Sequence, residues 1–204
     1  MEILVLDLHI REDLKNSKIS DALNKYADTF TLRLFSSDFS YGDLASYDAI
    51  VLTGSNSINA YSSPKVRELK HHLRRLSSDG GNMLGICGGN QVLASAFDYR
   101  RYKLREPETG WHSIHITERG KQDPLLKGLG DGFMAFEHHI LAVRCDDKDK
   151  VLAENEYCSQ AILYQPNVRG IQFHPEVIPE SFTIAKEYVE WRIFRNFVNI
   201  ARAT

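Results

Sequence analysis

The sequence has little of what marks the specialised classes of protein. Three cysteines in 204 residues, Cys87, Cys145 and Cys158, are an odd number at long spacings with no C-x-x-C pair, which argues against a disulfide framework or a zinc ribbon. No stretch approaches the ~18 consecutive apolar residues of a membrane-spanning helix. The opening run MEILVLDL carries an acidic residue at position 2 and Asp7 within it, unlike a signal peptide. An excess of one charge is also missing. Against 27 acidic residues stand 25 basic ones, a net charge of −2, too balanced to draw in nucleic acid or an anionic membrane. Internal repeats, low-complexity tracts and linkers rich in Pro, Gly or Ser are absent too. What remains, 43% hydrophobic and 25% charged residues, is ordinary globular composition, and a chain of this length hides roughly 70% of its unfolded surface on folding. The expectation is one domain over residues 1–204, soluble and cytoplasmic, needing no disulfide or metal, with its function in a local site.

Apolar runs rich in Val, Ile and Leu alternate with helical patterns, the order of a parallel sheet built from βα units. Met1 to Leu8, Thr31 to Phe35, Tyr47 to Leu52 and Met83 to Ile86 read as strands. The segment carrying Leu14, Ile19, Leu23 and Tyr26 reads as partly helical. Ser63 before Pro64 is a helix N-cap with proline in the first turn, Val66, Leu69, Leu73 and Leu76 follow at helical spacing, and Asp79-Gly80-Gly81 stops the helix. Downstream, His112 to Thr117, Gly132 to Phe136, Val151 to Glu154, Ala161 to Gln165 and Val168 to Phe173 are short strands with few helical spacers, which implies some antiparallel pairing. Ser181 to Ala203 carries an apolar stripe through Ala185, Val189, Ile193, Phe197 and Ala201, a long helix that packs back on the sheet.

The segment GICGGNQ, Gly85 to Gln91, follows a strand and leads into a helix. A residue at the apex of such a turn is strained and needs small neighbours two before and two after it, here Gly85 and Gly89. Cys87 is then presented outward at a helix N-terminus, where the dipole favours a thiolate, and the Gly88 N–H can face an oxyanion. The bland alternative, a buried cysteine in an ordinary glycine turn, leaves that glycine spacing unexplained. A thiolate nucleophile needs a histidine to move protons and a carboxylate to orient it. GIQFHPE, Gly170 to Glu176, offers His174 and Glu176 two apart in extended chain, on one side, with Pro175 limiting the backbone. Alone the tripeptide is weak; its force comes from occurring with the cysteine turn.

GICGGNQ together with GIQFHPE resembles the class I, triad-type glutamine amidotransferase family. VLTGSNS, Val51 to Ser57, is similar to that family's glycine-rich oxyanion loop, and TGWHSIHIT, Thr109 to Thr117, to its glycine-tryptophan strand. The stand-alone relatives of the GMP synthase amidotransferase domain look nearest. The resemblance implies an α/β, three-layer αβα, flavodoxin-like fold whose sheet is mostly parallel, with some antiparallel strands in the C-terminal half. It implies Cys87 as nucleophile, His174 as general base and then acid, and Glu176 orienting His174. Gly54 and Gly88 would supply oxyanion amides, and Gly54, Ser55, Gly88, Gln91 and His138 would line the substrate site. Glutamine would be the substrate, passing through a γ-glutamyl thioester, with ammonia handed to a synthetase on another chain. No cofactor is implied. The chain departs from the family pattern at Ser55, where a second glycine is usual, at Gly88, usually bulky, at Asn90, often histidine, and in the loop Phe136 to Ile140 (FEHHI), where only His138 matches.

Two other functions stay open on the same scaffold: a self-sufficient γ-glutamyl hydrolase or peptidase, and a non-catalytic regulatory or binding protein. The eight histidines do not read as a metal site. Of the possible ligand pairs His71-His72, His112 with His115, and His138-His139, the first sits on the polar side of a helix, the second falls on opposite strand faces, and no H-E-x-x-H occurs. YRRYKLR, Tyr99 to Arg105, could stack and neutralise a nucleic acid strand; it reads instead as a charged surface loop.

Overall fold

A computed structural model describes residues 1–8, 17–34, 40–55, 63–177 and 191–203. Nine strands form one sheet: β1 Glu2–Asp7, β2 Thr29–Leu34, β3 Ala49–Leu52, β4 Asn82–Ile86, β5 Arg100–Ile116, β6 Gly132–Arg144, β7 Val151–Glu154, β8 Ser159–Gln165 and β9 Val168–Ile171. Among the described residues five α-helices accompany them, α1 Ser17–Asn24, α2 Pro64–Ser78, α3 Gly88–Ala96, the single turn α4 Glu118–Lys121 and α5 Trp191–Arg202. The strand order is β2-β1-β3-β4-β9-β8-β7-β5-β6. Pairing is parallel from β2 to β9 and antiparallel from β9 to β6.

The central strands β1, β3 and β4 are largely apolar because both faces are covered. Ile3, Val5, Val51, Leu84 and Ile86 face a core completed by Ile19 and Leu23 of α1 and by Ile193, Phe194 and Phe197 of α5. Leu4, Leu6, Ile50, Leu52 and Met83 face a second core with Leu69 and Leu73 of α2 and Leu93 of α3. Helices on both sides of the sheet make the three layers that the family resemblance implies. The α2 signals act as read: the Ser63 hydroxyl accepts from the Val66 N–H at 3.2 Å, and Gly80 takes φ +89° beyond the last turn. No described helix is long and apolar enough to cross a membrane.

Two readings need correction. The basic segment 99–105 is not a loop, since Arg100 to Lys103 pair with Arg144 to Leu141 in the β5/β6 ladder. Phe136 to Ile140 likewise lies within β6. In β6 side chains alternate between a covered and an open face, and in the first part of β5 most of them are exposed, so polar residues fill much of a genuine strand. Parts of other expectations, Leu14, Phe35, Ser57 and the C-terminal helix before Trp191, lie outside the described residues.

Candidate active site

Strand β4 ends at Ile86 and α3 begins at Gly88, which leaves Cys87 alone to turn the chain. It does so at φ 48°, ψ −102°, a conformation that costs a non-glycine residue about 1–3 kcal/mol and persists only where its surroundings enforce it. They do so here through contact. A Cβ on Gly85 would lie 2.6 Å from the Gly89 carbonyl carbon and 2.7 Å from the Asn90 nitrogen, and one on Gly89 would run into the Leu52 carbonyl of β3. The Cys87 N–H donates to the Ile171 carbonyl at 2.8 Å, tying the turn to β9.

The chain leaving β9 brings the second group. The His174 N–H donates to the Phe136 carbonyl of β6 at 2.9 Å, and the imidazole Nδ1 meets Glu176 Oε1 at 2.7 Å. Glu176 is buried and His174 partly exposed, so the carboxylate lies behind the ring. The rest of the ring belongs to a crowded corner: a Cβ on Gly54 would stand 3.3 Å from His174 Cε1 and 3.9 Å from Cys87 Cβ. Burial opposes charge on His174, yet the Cys87 sulfur, followed by Glu176, holds its pKa well above the ordinary histidine range. Thiol, imidazole and carboxylate thus form one electrostatic unit, arranged as a nucleophile, a proton carrier and an orienting acid.

Gly54 is set by a buried brace in which the Thr53 hydroxyl donates to Asp7 Oδ1 at 2.9 Å and accepts from the Leu8 N–H at 3.1 Å. Gly88 opens α3 and is buried, which places its N–H among the unpaired donors of a helix start. Ser55 follows Gly54 and is partly exposed. Gln91 is buried beside the turn, and its Nε2 donates to the Leu141 carbonyl at 2.9 Å. His138 is not drawn in with the others: it is exposed, on the face of β6 opposite Glu137 and His139. Asn90 is structural here, with Oδ1 accepting from the Tyr164 hydroxyl at 2.5 Å and Nδ2 donating to Gln172 Oε1 at 3.3 Å.

Behind this corner lies a group of ionisable residues that the motifs do not announce. Glu108 of β5 and Glu137 of β6 are fully buried, and His139 Nε2 stands 3.0 Å from Glu108 Oε2 and 3.2 Å from Glu137 Oε2. Burial pushes the Glu137 carboxyl up to about 7. His139, despite burial, is raised to about 9 by Glu108 and then Glu137. The signal for them was Glu137 and His139 two apart in a strand, with Glu108 opposite His139 in register; it was hidden because the segment reads as a loop.

The profile of the glutamine amidotransferase class-I family matches residues 16–191. A glutamine-hydrolysing GMP synthase subunit of Sulfolobus acidocaldarius is 29% identical over 168 residues, 81% of this chain and 82% of that protein. The imidazole glycerol phosphate synthase subunit HisH of Methanosarcina mazei is 32% identical over 129 residues, 53% of this chain and 62% of that protein, under two thirds of its length. Among solved structures, a glutamine amidotransferase from Thermotoga maritima superposes with a TM-score of 0.74 at 19% identity, over 87% of this chain and 76% of that one.

Proposed function

From the premise that this chain belongs to the class I glutamine amidotransferase family, we propose that it hydrolyses the side-chain amide of glutamine and delivers ammonia to an acceptor enzyme on another chain. The observation that carries the reading is the convergence of Cys87, His174 and Gly54 in one corner with Glu176 on the far ring nitrogen.

In this reading the Cys87 thiolate attacks the amide carbon, and the oxyanion accepts hydrogen bonds from the Gly54 and Gly88 amides, donors fixed before the reaction starts. His174, charged while it faces the thiolate, gives its proton from Nε2 to the departing nitrogen and becomes neutral. Ammonia leaves and a γ-glutamyl thioester remains. His174 then takes a proton from water, whose oxygen attacks the thioester; glutamate leaves and the thiolate and imidazolium are restored. Glu176 stays ionised throughout; it accepts from Nδ1–H, orients the ring and stabilises its charge. Gln91 Oε1 and Ser55 would meet the bound amino acid, and His138 would contribute only from the outer face of β6. Residues 1–204 are read as one domain and the acceptor as a separate synthetase, of the GMP synthase kind if the similarity to the Sulfolobus protein extends to partners.

The test is ammonia and glutamate release from glutamine, alone and with a candidate synthetase. Cys87→Ala should abolish release and leave the far-ultraviolet circular dichroism unchanged. Wild-type turnover in Cys87→Ala would remove the proposal, and cleavage of γ-glutamyl peptides in preference to glutamine would replace it with the hydrolase reading.

A further inference from the structure

The buried group behind the active site has the composition and spacing of a metal centre. Glu108, His139 and Cys158 each offer one ligand atom, all within 4.8 Å of one another and all buried. Cys158 Sγ lies 4.0 Å from Glu108 Oε2, and His139 Nε2 lies 3.0 Å from the same oxygen. Those are close to the edges of a tetrahedron of N, O and S atoms around one ion at the usual bond lengths of about 2.0–2.3 Å. Two features separate this group from an ordinary ion-pair network. First, His139 Nε2 is within 3.2 Å of two carboxylates yet hydrogen-bonded to neither, and both oxygens of the fully buried Glu137 are without a hydrogen bond. The Cys158 thiol donates to Glu108 Oε2, but the His139 imidazole and the Glu137 carboxylate crowd the same point without a hydrogen bond. Second, the ligands are themselves held. Gln160 Nε2 donates to Glu108 Oε2 at 3.0 Å and to Cys158 Sγ at 3.4 Å, and Asn155 Nδ2 donates to Glu108 Oε1, as amides around metal ligands do.

The geometry points to a divalent transition-metal site, zinc by its mixture of S, N and O donors, made by Glu108, His139 and Cys158 with Glu137 turning in as the fourth ligand. Binding would release the Cys158 thiol proton and any proton on His139 Nε2 to solvent while the ion takes their place. A cavity of about 430 Å³ lined by Tyr102, Asn155, Tyr157 and Cys158 opens beside the group and provides a way in. With all four positions filled by protein, the site is structural. It would clamp β5, β6 and the start of β8 together one residue from Phe136, whose carbonyl holds the His174 backbone. Short-range sequence spacing does not show this set, because its ligands come from β5, β6 and the residue before β8.

The experiment uses the full chain, stripped with chelator and reloaded with zinc or cobalt(II). One zinc per chain should be retained through desalting, with a raised Tm that chelator reverses, and cobalt should give a thiolate-to-metal absorption band. Cys158→Ser should lose that band while Cys87→Ser keeps it. Gln160→Ala, which removes no ligand, should weaken zinc binding about 10- to 100-fold. Retention of no metal by the folded wild type, a cobalt spectrum without a thiolate band, or a band lost in Cys87→Ser but kept in Cys158→Ser would each overturn the assignment. None of these readouts depends on glutamine turnover, so the failure of one reading is separable from the failure of the other.

Discussion

At the scale of single residues, function depends on what surrounds a few atoms. His174 faces the Cys87 sulfur on one side and binds Glu176 at 2.7 Å on the other. Removing the ring removes the proton carrier, so His174→Ala should lower kcat about 10²- to 10⁴-fold, read in a single-turnover glutaminase assay. Glu176→Gln keeps the volume and a hydrogen bond but not the charge, and should cost less than His174→Ala. An equal or larger loss for Glu176→Gln would mean that the carboxylate does more than orient. The type of each of these side chains was legible from two short motifs. Their mutual distance was not, because β4 and the end of β9 are adjacent only in the folded sheet.

Elements position these residues by backbone contact. Gly89 sits where α3 crosses the end of β3, and a methyl group there meets the Leu52 carbonyl rather than a side chain that can rotate away. Gly89→Ala should therefore destabilise the fold by about 1–3 kcal/mol, measured as a lower urea midpoint at unchanged m-value. It should also lower activity in the fraction that remains folded, since the helix can move only by moving the Cys87 turn. An Ala variant of native stability would show that β3 and α3 separate at little cost. The strand–turn–helix sequence around Cys87 was readable because strain needs glycines at set positions. The first part of strand β5 was not, because its exposed charges, Arg100, Lys103 and Arg105, look the same in a loop as in a ladder.

For the whole molecule, stability depends on charges taken out of water. Arg169 of β9 is buried and paired through Nε with Asp123 Oδ1 at 2.8 Å, and Asp123 also accepts from the Leu125 N–H at 2.9 Å. Asp123→Ala leaves a cation in the interior and should cost about 3–5 kcal/mol, seen in the denaturant midpoint; a loss near zero would mean that water reaches Arg169. Stability should also depend on pH through His174. Its folded pKa lies above the ordinary 6.5, so the charged ring favours the folded state. That contribution is complete below pH 6.5 and fades as the pH rises through the folded value. The stability difference between wild type and His174→Gln should therefore be largest in mild acid and shrink in alkali; a pH-independent difference would break the coupling of His174 to Cys87.

The linear chain by itself determined the kind of fold and the kind of chemistry. Apolar periodicity, helix caps and glycine spacing act over a few residues, so β1, α2, β4 and the Cys87 turn could be read in place, and two motifs supplied the proposed nucleophile, histidine and acid. Only the tertiary structure decided what depends on pairing between strands far apart in sequence. It set His138 outward and Glu137 inward on β6, committed one end of Gln91 to Leu141, and gathered Glu108, His139 and Cys158 from β5, β6 and the start of β8. Strand register makes that choice, because a shift of one residue turns every side chain to the opposite face.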